Sequence, residues 1–312
     1  MDRESTFAND ETLKLLRDHY VAYAPSVTEM LKARDAAGDF FRKVVNQRAE
    51  PKHSKQGYYI CAPDGTLLKG WMYPRPDNGT MTRNLKEVHE AYKPPADVAP
   101  LDRSKVDRNA TPLPPEGGLV IEVAAKLLEA KWQATNLSRY QMIRDAVGKD
   151  RLWATQVEAR ELAKGSLPNS FVERLIRFHL VDNTRGVHAR WMPEHLKSLR
   201  IQIIPDGKTF LLEGSLLLEE AGNRRFEAQL RGVLEAKGDV VTRFDVLVRG
   251  THVATKSPLG ELPLGPTTLA VAFGLAEPGE STKVPPLYSW LQGEYLRSNG
   301  QCVSALRNTA TK

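Results

Sequence analysis

The chain has 312 residues, of which 41% are hydrophobic and 26% charged. That length exceeds one average domain, and that balance excludes wholesale disorder. The formal net charge of +6 permits contact with nucleic acid or an anionic surface, but acids are interleaved with the bases throughout, so nothing requires it.

In chain order, the opening stretch "MDRESTFANDETLKLL" lacks the apolar run of a secretion signal, and no segment reaches membrane-spanning length, so a cytoplasmic location is expected. A first helix is predicted after Asn9, which can cap it. Asp10 and Glu11 suit its positive end, and Leu13, Leu16 and Tyr20 share a face. "YVAYA" reads as a short strand. Helices follow around 28–36 and 39–46, the second burying Phe40, Phe41, Val44 and Val45. The stretch "QGYYICAPDGTLLKGWMYP", residues 56–74, reads as a hairpin: Tyr58 to Cys61 are strand formers, Pro63-Asp64-Gly65 is a turn, and Thr66 to Leu68 resume a strand. A last helix over 83–92 puts Leu85, Val88 and Tyr92 on one side.

This order, with "TFANDETLKLLRDHYVAYAPSV" at one end and "GYYICAPDGTLLKGWMYP" near the other, resembles the thioredoxin-like fold over about residues 6–92. Redox-active members of that superfamily carry CxxC at a helix N-terminus, where the thiol pKa is lowered for attack. They also carry a cis-proline just before the hairpin strand. Here Cys61 and Cys302 are the two cysteines, neither near the first helix, and Gln56-Gly57 stands at the proline position. The resemblance therefore implies a truncated thioredoxin-like α/β domain, 1–92, without redox chemistry.

Six prolines between 93 and 118, followed by Gly117-Gly118, remove amide donors and fix φ, so this stretch is read as a linker. A second domain then spans 119–312. "GLVIEVAAKLLE" suits strand or helix. "LWATQVEARELAKGS" reads as helical, and "LPNSFVERLIRFHLV" as a helix with a wide apolar face made of Phe171, Val172, Leu175, Ile176, Phe178 and His179. After Pro193 the period changes to two. "RFEAQLRGVLEA" turns Phe226, Ala228, Leu230, Gly232 and Leu234 to one face, and "VVTRFDVLVRG" turns Val240, Phe244, Val246 and Val248 the same way. With two strands around Pro205-Asp206-Gly207 and another over "TTLAVAFGLAE", five long strands are expected in an antiparallel sheet covered on its apolar side by the preceding helices. The fold class is α+β overall: the thioredoxin-like α/β domain plus a C-terminal antiparallel β-sheet domain with covering helices.

Known chemical motifs fail. "DGKT" at 206–209 lacks the first glycine of a phosphate loop, and no HExxH, GxSxG or GxGxxG occurs, so no cofactor is identified. Chemical residue types concentrate instead in "RFHLVDNTRGVHARWMPEHL", residues 177–196. Imidazoles and carboxylates on a loop after a helix suit acid–base work, with His188, His195 and Asp182 as catalytic candidates. Arg185 and Arg190 could hold an anion and Trp191 could wall a pocket, while His179, Asp182 and His188 are the metal candidates. A purely structural role accounts for the same residues: His179 as a core histidine, Asp182 forming a turn or pairing with Arg185, Trp191 packed on the sheet.

On the sheet's polar face, Arg225, Arg231, Arg243 and Arg249 alternate with Glu227, Glu235 and Asp245, a mixture that cross-strand pairs explain. Base-stacking aromatics are missing there, which argues against nucleic acid although the basic balance does not exclude it. Three functions follow as expectations: a non-catalytic module that binds a protein or small ligand, a metal-dependent or acid–base enzyme of hydrolase type using 179–195, and a basic nucleic-acid binder.

Overall fold

The computed structural model describes residues 9–25, 27–49, 54–72, 79–93, 113–128, 147–184, 190–254, 266–279, 282, 284–287, 292–297 and 299–309. The chain divides into two compact units, 2–110 and 111–312. No helix among the described residues is long and apolar enough to cross a membrane.

In the first unit, helix α1 (Asp10–His19) begins where the Asn9 side chain accepts from Thr12 N at 3.0 Å. Helix α2 (Val27–Lys32) and helix α3 (Ala36–Asn46) follow, the latter capped by Asp35. Strands β1 (Tyr58–Cys61) and β2 (Leu67–Trp71) pair antiparallel, and helix α4 (Thr80–Ala91) closes the order. The turn between the strands needs glycine. Gly65 sits at φ +85, and a Cβ there would lie 3.3 Å from the Phe40 ring. Ile60, Met81, Leu85 and Val88 form the core, with Leu16, Tyr20 and Trp71 packed against them.

Two expectations fail in this unit. Residues 20–24 form no strand: Val21 is 91% exposed and has no ladder partner among the described residues, because only Tyr20 turns inward, donating its hydroxyl to Leu85 O at 2.6 Å. Phe40 stays exposed while Val44 and Val45 fill the core. Phe40 lies four residues before Val44, yet it packs over the hairpin turn rather than beneath it.

The second unit is a seven-stranded antiparallel sheet. Its strands in chain order are β3 (Leu119–Leu128), β4 (Gly148–Ala154), β5 (Leu196–Asp206), β6 (Thr209–Glu220), β7 (Arg224–Lys237), β8 (Val240–Ala254) and β9 (Thr267–Leu275). Their spatial order is β4-β3-β9-β8-β7-β6-β5, so the five-strand meander returns to lie beside the first hairpin. The sheet therefore contains the five expected strands and two more, β3 and β4. Helix α5 (Gln156–Ala163) and helix α6 (Asn169–Arg174, continued by a π turn, Leu175–His179) lie on one face. Helix α7 (Gln292–Tyr295) and helix α8 (Gln301–Thr309) come last, and Val303 of α8 enters the core.

Alternation explains the core. Phe226, Ala228, Leu230 and Leu234 of β7 and Phe244, Val246 and Val248 of β8 are buried beneath α6, where the Phe171 ring meets Phe244 edge-on at 5.7 Å. One expected inward residue is misplaced. Val240 is 62% exposed and Val241 is buried, because Glu235 faces Arg243 while Ala236 faces Val241. Thr242 is the extra residue of a bulge, and one extra residue reverses the facing of every side chain beyond it. A second correction concerns Leu152, Trp153 and Ala154, which end β4. The helix starts only after Thr155, whose side chain and Glu158 form a reciprocal capping box.

Candidate functional site

Every residue from 171 to 182 is buried. A helix buried on all sides must find internal partners for its charges. Glu173, Arg174, Arg177 and His179 do so at the end of the sheet where β4 is the edge.

Arg174 donates from Nε to Trp153 O at 3.1 Å and pairs through Nη2 with Glu158. Glu158 also accepts from Ser170 Oγ at 2.5 Å and from Thr155 N at 2.8 Å, so the helix cap and the ion pair share one carboxylate. Arg177 donates from Nε to Trp191 O at 3.0 Å, from Nη1 to Glu173 at 2.9 Å, and from Nη2 to Glu294 at 2.6 Å. Arg190 grips the same Glu294 with two bonds, 2.9 and 2.6 Å. Partial burial pushes the Glu294 carboxyl up, but the donors Arg190 and Arg177 outweigh it and hold the group below its usual value.

His179 Nε2 meets the Tyr295 hydroxyl at 2.7 Å, and its Nδ1 lies 3.2 Å from Asp150 Oδ2, at an angle outside hydrogen-bond geometry. Asp150 Oδ1 accepts from Leu287 N at 2.7 Å, and Trp153 N donates to the Tyr295 hydroxyl at 3.4 Å. Burial, and then the nearby Asp150 carboxylate, raise the Tyr295 phenol above its usual 10.0. Trp153, Phe178 and Tyr295 pack together beside this chain. Carboxylate, imidazole and phenol in series have the order of a proton relay, but a general base must reach a substrate's proton. His179 is 2% and Tyr295 1% exposed, so the contacts in place tie Leu287 and Tyr295 to β4 and α6.

The residues singled out from sequence are distributed around this cluster. His179 is joined to Asp150 and Tyr295 rather than to the loop that follows it. Asp182 is buried and closes a local turn, accepting from Thr184 N at 3.1 Å and Thr184 Oγ1 at 2.6 Å. Trp191 is buried, donates Nε1 to Leu180 O at 2.7 Å, and carries the Arg224 guanidinium 4.0 Å above its ring. His195 accepts from Met192 N through Nδ1 at 3.2 Å and meets Trp191 edge-on. Arg190 holds Glu294. Arg185 and His188 lie outside the described residues. Among the described residues no three His, Cys, Asp or Glu side chains are grouped to hold a metal. A recess under α6, lined by Phe171, Leu212, Leu230 and Phe244, measures about 10 Å³, room for one water at most, and its apolar walls keep it dry.

Sequence reasoning missed Asp150, Glu158, Arg174, Arg177, Glu294 and Tyr295. One signal was present: "VERLIR" places three charges inside a helix whose neighbouring residues are apolar on several sides, and such charges are paired when buried. Tyr295 and Asp150 carry no local signal. Comparison with protein-family models, with curated proteins and with solved structures returned no match for this chain.

Proposed function

We propose that this is a non-catalytic binding protein: a thioredoxin-like module without thiol chemistry, coupled to an α+β unit that recognises a protein or a small ligand in the cytoplasm. One observation carries the reading. His179 is buried against Tyr295, and Arg177 and Arg190 are both engaged by Glu294. The thiols support it. Burial, then Asp64, raises the Cys61 pKa, and burial, then Glu173, pushes Cys302 up to about 12, so both are protonated near neutral pH and disfavoured as nucleophiles. The helices before the β1–β2 hairpin and α4 after it support the thioredoxin-like assignment. On the sheet's open face, Arg225 pairs with Glu227 and Arg243 with Asp245 and Glu235, which leaves less positive charge for phosphates.

The test is an insulin-reduction assay with dithiothreitol. The rate is expected to equal that of buffer, and acceleration lost in Cys61→Ser would overturn the proposal. An acid–base enzyme is the second reading, favoured by the Asp150–His179–Tyr295 series and by the π turn that bears His179, since such turns recur at functional sites. Stoichiometric metal, retained on purification and lost in His179→Gln, would support it.

A further inference from the structure

The open face of the sheet is not uniform in charge. Toward one end, Arg225 of β7 pairs with Glu219 and Glu227; toward the other, Arg243 of β8 pairs with Glu235 and Asp245. Between these paired groups, the ladder register aligns a row of outward residues from β5 to β3: Arg200, Ser215, Gln229, Arg249, Ala270 and Lys126. That row carries bases and no acid. The adjacent row adds Arg231, which stands between Glu213 and Leu247. Arg231 and Glu213 are opposite in register yet form no ion pair, and among the described residues Arg200, Arg231 and Lys126 have no carboxylate partner. Arg200, Arg231 and Arg249 are exposed, and Leu247 beside them is 46% exposed.

We propose that this band docks an acidic, extended segment of a partner protein, laid across the strands with its carboxylates on Arg200, Arg231, Arg249 and Lys126 and an apolar side chain on Leu247. The proposal rests on the reading of the second unit as a binding module and names the chemistry of its partner. Charge complementarity selects an acidic partner: the pairs at either side cancel their own fields, while Arg200, Arg231 and Lys126 do not. A guanidinium edge matches two carboxylate oxygens. A polypeptide fits better than nucleic acid because the aligned rows offer apolar contact at Leu247, Ala270 and Ala272 and no aromatic ring on which a base could stack. The length follows from the strand spacing. Arg200 on β5 and Lys126 on β3 lie at the two ends of the spatial order β3-β9-β8-β7-β6-β5, about 24 Å apart at about 4.8 Å per interval, a span that an extended chain covers in about seven residues. The sheet need not rearrange, because the arginines already stand in water.

The experiment is fluorescence anisotropy of a labelled peptide of about eight residues, glutamates around one central leucine, titrated with the full chain at about 20 mM salt, where surface charges are little screened. Saturable binding that weakens as salt is raised is expected, with the glutamine counterpart of the peptide at least about tenfold weaker. Arg200→Gln and Arg231→Gln are each expected to weaken the glutamate peptide about threefold, the scale of one exposed ion pair, and Leu247→Ser to weaken it with no change of charge. Arg160→Gln makes the same charge change on α5, on the covered side of the sheet, and is expected to leave binding as it was. All four positions are exposed, so these variants keep the fold. The proposal is overturned by the absence of saturable binding, by equal affinity for the glutamine peptide, or by undiminished binding in Arg200→Gln and Arg231→Gln. A loss in Arg160→Gln as large as in Arg231→Gln overturns it too, since net charge alone would then account for the binding. Tighter binding of an oligothymidylate of the same charge overturns it and assigns the band to nucleic acid. A thiol-active chain would defeat the broader reading in the insulin assay and leave this titration unaffected.

Discussion

On β7, Phe226, Ala228, Leu230 and Leu234 face the helices and are buried, while Glu227, Gln229 and Arg231 between them face outward and are exposed. Charges occur on both sides of the sheet, but under different conditions. On the open side, Arg243 pairs with Glu235 at 3.0 Å and Asp245 at 2.5 Å in water, where such pairs contribute little. On the covered side, Arg174, Glu158, Glu173 and Arg177 have been taken out of water, so each depends on its partner. The same residue types are therefore replaceable on one face and indispensable on the other.

The sharpest test of that contrast is Arg174→Met, which leaves Glu158 charged and buried without its cation. A loss of about 3–5 kcal/mol is expected in urea unfolding, with most of it recovered in the double variant Arg174→Met/Glu158→Leu. If the single and double variants are equally unstable, the pair is not what holds α5 to α6. Next come two neighbours on one strand. Leu230→Ala is expected to cost about 2–5 kcal/mol through the cavity it leaves, and Arg231→Ala no more than about 0.5 kcal/mol. Comparable losses would mean that the open face is covered. Tyr295→Phe removes the hydroxyl that meets His179 and accepts from Trp153 N, and should cost about 1–3 kcal/mol. Its amide-exchange signature should be confined to residues 292–297 and the β4 edge; uniform loss of protection would show that the effect of this contact is not local.

The smallest expected effect is a pH dependence. Glu294 has a folded pKa below its usual 4.5, so its contribution is complete above that value and disappears as pH falls through the lower folded one. Unfolding midpoints followed from about pH 5 to about pH 3 should decline less steeply in Glu294→Gln than in the parent chain. Identical slopes would show that Arg177 and Arg190 do not depend on this carboxylate.

Legibility in the sequence followed the range of the interactions. The inward sets of β7 and β8 could be read because alternation is a property of consecutive residues, and Asn9 could be read as a cap because its acceptor lies three residues away. The exchange of Val240 for Val241 could not, since a bulge is defined only by the register of two strands. The segment 179–195 attracted attention by density. His179, Arg190 and Trp191 do belong to the buried cluster, but through Asp150, Tyr295, Glu294 and Arg224, residues on other elements.

The amino-acid order alone determined the period-two pattern, the hairpin turns, the Asn9 cap and the absence of a CxxC pair, because each of these is settled within a few consecutive positions. Which charges are buried, which arginine nitrogens find a carboxylate, and that a histidine before the loop joins a tyrosine 116 residues later were decided only when the chain folded. Those outcomes depend on water being excluded and on distant backbone segments meeting, and neither condition is written in any local stretch.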